Sequence, residues 1–337
     1  MTKISVALLG LFLVACGGAS VSSSELGEEG SPRFGADSSL EAGSPSPGED
    51  SSQDAGAPSP SDDSSLDDGT SPSDREPLEG QSSSHAVFWV GHSLTGFKMP
   101  QMVGEIAESL GLTYSWNAQI GTGAPLVWNW DNSTTTPQVD SRSVLPEGGY
   151  DVLVLTEAVP LINHTTWSDT STYAGLFHDL VAGQPGAQTY LYETWHCLDT
   201  GTPAGCAYDE HDDVAWRPRL DQDHSRWQGI VDAVNQDRSG PAMKLAPVGQ
   251  AMAALYDEIE AGNMPGLTSI ADVFADDIHP NNKGFYFVAL VHTAVIYGVD
   301  VRGAAHAFND QYGSAYPDLP SQGLATAMQN LVWDVIQ

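Results

Sequence analysis

Basic residues are scarce in this chain. Twelve lysines and arginines stand against 44 aspartates and glutamates, a formal net charge of −32 over 337 residues. Such a balance excludes a nucleic-acid-binding surface and a face built to lie on anionic lipid, both of which need a positive field. Cysteine is scarce too, with three residues at positions 16, 197 and 206. None of them forms a CxxC pair, so the spacing of a zinc knuckle is missing. The apolar run within residues 1–16, MTKISVALLGLFLVAC, is about a dozen residues long, too short for a stable bilayer-spanning helix. Large apolar residues are nearly absent from residues 17–85, and no internal repeat interrupts the remainder.

What is present divides the chain in three. Residues 1–16 have one lysine, an apolar stretch and a small-residue end, the layout of a secretory signal. Leu13-Val14-Ala15-Cys16 resembles a bacterial lipobox. The resemblance implies cleavage before Cys16 and lipid on that cysteine. Gly17 rather than aspartate follows, which in lipoproteins of Gram-negative cells favours the outer membrane. The protein is therefore expected to be exported and lipid-anchored at the outer membrane or cell surface, touching the membrane only through its anchor. Cys197 and Cys206 then remain as a pair in an oxidising compartment, and the short loop CLDTGTPAGC is expected to close by a disulfide. On the chain-entropy argument that closure contributes about 2–3 kcal/mol. Residues 17–85 hold Ser, Gly, Pro and 15 acidic against two basic residues. They cannot bury enough surface to offset ordering, so they read as a disordered acidic tether. Residues 86–337, with 29 acidic and nine basic residues, are long enough for one sizeable domain.

Within that domain strand-like and helix-like stretches alternate. AVFWVG (86–91), TYSWNAQIG (113–121), YDVLVLTEA (150–158), AQTYLYETW (187–195) and MKLAPVGQ (243–250) read as strands. YDVLVLTEA is too apolar for a strand with one wet face and suits a parallel sheet covered on both sides. MPQMVGEIAESLGL (99–112), TYAGLFHDLVAG (172–183), SRWQGIVDAVNQ (225–236) and AMAALYDEIEAG (251–262) read as helices, as does HPNNKGFYFVALVHTAVIYG (279–298), with Pro280 at its start and Gly298 past its end. The alternation predicts an α/β fold with a five-stranded, mainly parallel, doubly wound sheet. Functional groups in such sheets gather at the carboxyl ends of strands, where Ser93, Gly121, Glu157, Trp195 and Gln250 fall.

A serine hydroxyl is a poor nucleophile near neutral pH. It needs a general base within hydrogen-bond reach, and the base needs an acid to hold it. ADDIHPN (275–281) offers Asp276 and His279 three residues apart, a spacing at which the carboxylate can fix the imidazole tautomer; Asp277 is the alternative holder. The G-x-S-x-G elbow of α/β-hydrolases is absent around Ser93, since Gly96 comes one residue late.

VFWVGHSLTG (87–96) and DDIHPNNKG (276–284), in that order at the two ends of the domain, resemble blocks I and V of the SGNH (GDSL) hydrolase family. The resemblance implies a flavodoxin-like three-layer α/β/α sandwich, with Ser93 as nucleophile, His279 as base and Asp276 as its orienter. It also implies an oxyanion hole using the backbone N–H of Ser93 and of a glycine after the second strand. QIGTGAPL supplies Gly121 and Gly123, and Gly123, ahead of Ala-Pro, is the better placed. The sequence departs from the family twice. His92 stands where block I usually has aspartate, and is read as a structural replacement. Glu157 stands near the position of the asparagine that the family's G-x-N-D motif uses as a third donor. An ionised carboxylate cannot donate, so Glu157 must be protonated by burial or face elsewhere, leaving Asn163 or the Trp195 indole to donate instead.

The surrounding stretches PLVWNWDN, INHTTW, YETWHC and AWRPRL are aromatic and polar. Trp128, Trp130, Trp167, Trp195 and Trp216 are the right type to stack on sugar rings, and Asn132, His164, His196, Arg217 and Arg219 to bind hydroxyls or acids. The acidic clusters YDEHDD (208–213) and DQDH (221–224) read as solvated loops rather than metal sites, with a hard cation on His211, Asp212 and Asp213 as the alternative, and the serine chemistry requires no cofactor. The expectation is a serine esterase that removes short acyl groups, acetyl foremost, from an acylated glycan or a small ester. The alternatives are a lipase or arylesterase, an acyltransferase of the same fold, and an inactive glycan-binding lipoprotein.

Overall fold

The computed structural model describes residues 82–133, 139–236, 238–309 and 312–337. The expected leader with Cys16, and the tether as far as residue 81, lie outside the described residues.

Among the described residues five strands form one sheet: β1 (Ser84–Gly91), β2 (Thr113–Ile120), β3 (Val152–Leu155), β4 (Gln188–Tyr192) and β5 (Lys244–Ala246). Their order is β2-β1-β3-β4-β5 and every pairing is parallel. This is the flavodoxin-like order, whose switch point lies between β1 and β3. β1 begins two residues before the expected domain start, because Asp151 accepts from the His85 ring at 2.8 Å and from the Ala86 N–H at 2.7 Å and pairs the strand's polar entry.

Among the described residues nine α-helices cover the sheet: α1 (Lys98–Ser109), α2 (Leu126–Asp131), α3 (Ser141–Val144), α4 (Leu161–Trp167), α5 (Thr170–Asp179), α6 (Trp216–Gln236), α7 (Val248–Glu260), α8 (Asn282–Tyr297) and α9 (Gln322–Ile336). Successive strand residues face opposite layers. Val87, Trp89, Val152, Val154, Tyr190 and Tyr192 join a core with α1, α7, α8 and α9. Phe88, Val90, Leu153, Leu155 and Leu191 join the other, with α2, α4, α5 and most of α6. Burying each large side chain in these layers contributes about 1.5–3 kcal/mol before the entropy cost. The result is the doubly wound parallel sheet that the alternation of strands and helices predicts and the three-layer sandwich that the resemblance implies.

α8 is apolar on every side, as a helix packed between sheet and neighbouring helices must be. Its N-cap is Asn281, whose side chain accepts from the N–H groups of Lys283 and Gly284 at 2.9 and 3.2 Å, and Gly298 ends it in the left-handed conformation. α7 begins at Val248, straight after β5, so the last residues of MKLAPVGQ are helical rather than extended.

Candidate active site

Ser93 and His279 are 186 residues apart in sequence, and the fold brings them together through the helices that follow them. β1 ends at Gly91, and residues 92–97 make a helical turn into α1, with Thr95 and Gly96 N–H groups donating to the His92 carbonyl at 3.0 and 2.9 Å. Gly91 is required here, since a Cβ would lie 2.8 Å from the side chains of Thr156 and Thr95. His279 lies just before α8, in a loop closed by its own carbonyl accepting from the Ala275 N–H at 2.7 Å and by Asn281 N–H donating to the Val273 carbonyl at 3.0 Å. Gly284 lets this loop cross the first turn of α8, for a Cβ there would meet the Val273 carbonyl oxygen at 2.2 Å. α1 and α8 then pack side by side, and Lys98 Nζ donates to Asn282 Oδ1 at 2.8 Å across their starts.

The outcome is a hydrogen-bonded row. Ser93 Oγ lies 2.8 Å from His279 Nε2, and His279 Nδ1 lies 2.8 Å from Asp276 Oδ2. Asp276 Oδ1 also accepts from the backbone N–H groups of Ile278 (2.9 Å) and His279 (2.6 Å). Partial burial pushes the Asp276 carboxyl up, but these hydrogen bonds outweigh it and hold its pKa below the ordinary value. An ionised Asp276 keeps the proton of His279 on Nδ1 and leaves the Nε2 lone pair facing the serine hydroxyl. The imidazole is 39 % exposed and the carboxylate 52 %, so the pair is open to solvent and to a ligand.

The two glycines after β2 differ. Gly121 donates its N–H to the Gly91 carbonyl at 3.0 Å, extending the ladder by one bond, and so has none to offer. Gly123 is in the left-handed conformation with φ +63°. Among the described residues, neither its N–H nor that of Ser93 donates to a protein acceptor. Both N–H groups are therefore free to donate to a ligand.

His92 is buried and used at both nitrogens. Its Nε2–H donates to the Glu157 carbonyl at 3.0 Å, and Nδ1 takes a long 3.4 Å contact from the Leu94 N–H. Burial lowers its pKa to about 4, so it is a neutral structural ring. Glu157 is fully buried, and burial pushes its pKa up to about 7. Its carboxyl accepts from Ala158 N–H (2.7 Å), Leu126 N–H (3.1 Å) and Thr170 Oγ1 (2.8 Å). Three converging donors make it an acceptor group.

Neither of the substitute donors points at an oxyanion. Asn163 gives its amide N–H to the Tyr208 carbonyl at 2.6 Å, and the Trp195 indole gives its N–H to the Ile278 carbonyl at 2.9 Å. Trp195 instead anchors the His279 loop. The neighbouring Leu198 N–H adds a second tie, to the Asp277 carbonyl, at 2.6 Å. Leu198 lies inside the loop closed by the Cys197–Cys206 disulfide, which the structure contains. Sequence reading missed this grip, because both of its acceptors, and the Leu198 donor, are main-chain groups that no residue type announces.

The residues expected to bind substrate separate as well. Trp128 is 40 % exposed and lies directly against Gly121, where a Cβ would meet its ring at 2.6 Å. Trp167 is 84 % exposed at the end of α4. Trp130 packs edge-on against Phe177 and under Arg142, so it is a packing residue. Arg217 is held by Asp257 at 2.8 and 2.9 Å and by Asp221 at 2.8 Å, which occupies its guanidinium. His164 bonds Ser168 Oγ through Nδ1 at 3.1 Å, and burial lowers its pKa to about 4. His196 and Arg219 lie in a buried cluster with Asp209 and Asp223. Among the described residues no group of three or more His, Cys, Asp or Glu is arranged to hold a metal.

No family model and no curated sequence matches the chain. Among solved structures it is similar to a DUF4886 family protein from Bacteroides uniformis, at 15% identity over 75% of this chain and 95% of that one, with a TM-score of 0.51. It is less similar to a protein from Parabacteroides merdae assigned as a GDSL-like lipase (13% identity, 66% and 99% covered, TM-score 0.42) and to an acetyl xylan esterase (17% identity, 63% and 99% covered, TM-score 0.38). The first likeness is one of fold. The other two lie below the level that marks a common fold.

Proposed function

We propose that the chain is a serine esterase of the SGNH type that removes short acyl groups, acetyl foremost, from a glycan. The observation that carries this reading is the row Ser93 Oγ, His279 and Asp276 Oδ2, with hydrogen bonds of 2.8 Å at Nε2 and at Nδ1, at the carboxyl end of the first strand. In the first half-reaction Ser93 Oγ attacks the ester carbonyl while His279 takes its proton. The tetrahedral oxyanion rests on the N–H groups of Ser93 and Gly123, the ester C–O bond breaks, and His279 protonates the leaving sugar oxygen. In the second half-reaction His279 takes a proton from water, the resulting hydroxide attacks the acyl-serine, and the carboxylic acid leaves as Ser93 regains its proton. The glycan part of the reading is supported by the exposed Trp128 indole beside the donor loop, a flat apolar face next to a polar, open site. Export on a lipid anchor at Cys16 belongs to the same proposal, and the disulfide at 197 and 206 supports an oxidising compartment.

The test is hydrolysis of p-nitrophenyl esters of two to twelve carbons by the wild type and by Ser93→Ala. The reading expects turnover that is fastest on acetate and lost in the variant. Equal residual hydrolysis by both proteins, or none by either on p-nitrophenyl esters and acetylated oligosaccharides, contradicts it; a preference for long chains turns it into a lipase.

A further inference from the structure

We infer that Glu157 is a positioning residue that sets both backbone donors of the oxyanion hole, an inference that rests on the esterase reading above. The β1–β2 ladder aligns the two segments only as far as the bond from Gly121 N–H to the Gly91 carbonyl. Beyond it Ser93 and Gly123 lie on separate turns, and no strand pairing fixes one against the other. Glu157, at the end of β3, grips both turns. Its carbonyl takes the Nε2–H of His92, the residue before Ser93, at 3.0 Å. Its carboxyl takes the N–H of Leu126, three residues past Gly123, at 3.1 Å. The short link between Gly123 and Leu126 is stiff, with Ala124 N–H bonded to the Gly121 carbonyl at 3.1 Å and Pro125 fixing the next φ. The grip is itself braced by Ala158 N–H at 2.7 Å and by the hydroxyl of Thr170, the first residue of α5, at 2.8 Å.

The chemistry of the group fits the task. A carboxyl presents two acceptor oxygens with room for several donors, whereas a side-chain amide presents one acceptor oxygen. Burying a carboxyl is costly unless hydrogen bonds compensate, and among the described residues no cationic side chain pairs with Glu157. Where the family's third block offers a donor to the oxyanion, this chain has a triple acceptor that holds the other two donors in place.

The experiment compares kcat and KM on p-nitrophenyl acetate for full-length wild type, Ser93→Ala, Glu157→Gln, Glu157→Asp and Glu157→Ala, with thermal unfolding of each. Glu157→Asp is one methylene too short to reach Leu126. It and Glu157→Ala are expected to lose kcat by about 100-fold, the scale of a lost oxyanion donor, with KM changed by less than about threefold. Glu157→Gln keeps an acceptor oxygen for Leu126 and Ala158 and turns its amide toward the Thr170 hydroxyl, so it should retain kcat within about fivefold. Should Glu157→Ala not fold, the contrast between Gln and Asp decides alone. Wild-type kcat in Glu157→Asp, a loss confined to KM, or a Gln variant as impaired as the Asp variant overturns the inference while leaving the esterase reading intact. Absence of Ser93-dependent turnover in the wild type overturns both.

Discussion

His196 and His279 are both held by aspartate, and they have opposite environments. His196 is buried against Asp223 through Nε2 and against Asp209 through Nδ1, with Arg219 joining both carboxylates. Burial alone would lower its pKa, but the two aspartates outweigh burial and raise it. Burial likewise pushes Asp209 up, and its partners bring it down to about 2. His279 has one aspartate on Nδ1, its Nε2 on a serine hydroxyl, and more than a third of its side chain exposed. The difference teaches what makes an imidazole chemically available. A ring with both nitrogens held by buried carboxylates has no lone pair to offer, so it serves as a structural cation. A ring held on one side only, with solvent access on the other, can take and return a proton.

The widest gap between the two sites should appear on removing each ring. His279→Ala is expected to lower kcat/KM on p-nitrophenyl acetate by about 10³–10⁴-fold with an unchanged unfolding temperature, since more than a third of its side chain is in water. His196→Ala should do the reverse, destabilising by about 3–5 kcal/mol through uncompensated buried aspartates while the folded fraction keeps its turnover. Equal losses of activity in both variants would erase the distinction.

Glu157 sharpens the comparison because it is buried and, among the described residues, pairs with no cation. Its ordinary pKa is 4.5 and its folded value about 7, so the folded state binds the proton more tightly. The penalty for ionising it therefore grows as pH rises from about 4.5 and is complete above about 7. Glu157→Gln should melt with the wild type near pH 4 and be more stable above pH 7.5, by an amount on the order of 3 kcal/mol. Parallel curves of melting temperature against pH would show that the carboxyl is not desolvated as described.

A smaller effect is expected at the disulfide. Replacing Cys197 and Cys206 by serine should cost about 2–3 kcal/mol of stability on the chain-entropy argument. It should also lower kcat by roughly tenfold, because Trp195 and Leu198 at that loop's base hold the carbonyls of Ile278 and Asp277. A stability loss with kcat unchanged would detach the loop from the site.

Much of the frame was legible from residue order. The apolar run Val152–Leu155 and the β-branched, aromatic run around Phe88 could hardly be anything but inner strands, and Asp276 with His279 three residues on marked the loop before α8. The first nine residues of α6 were not legible, because Trp216 to His224 is charged and holds Pro218 in its first turn, where proline is tolerated. α9 has apolar residues at helical spacing, a signal that the sequence analysis does not use. α2 and α4 are too short to show a period and are fixed by tertiary contacts, the Glu157 carboxyl at the start of α2 among them. At the site, residue type pointed to Trp195 and Arg217 as possible contacts for substrate, yet the fold uses both internally, one on Ile278 and the other on Asp257 and Asp221. A side chain's chemistry is visible in the sequence, but the partner that satisfies it is not.

The most direct measurement is covalent labelling by a p-nitrophenyl alkylphosphonate, followed by peptide mass spectrometry. The account predicts a single phosphonyl adduct on Ser93, formed with release of p-nitrophenol, and slowed by at least two orders of magnitude in His279→Ala. Labelling elsewhere, or labelling of Ser93 at the same rate without the histidine, would contradict it.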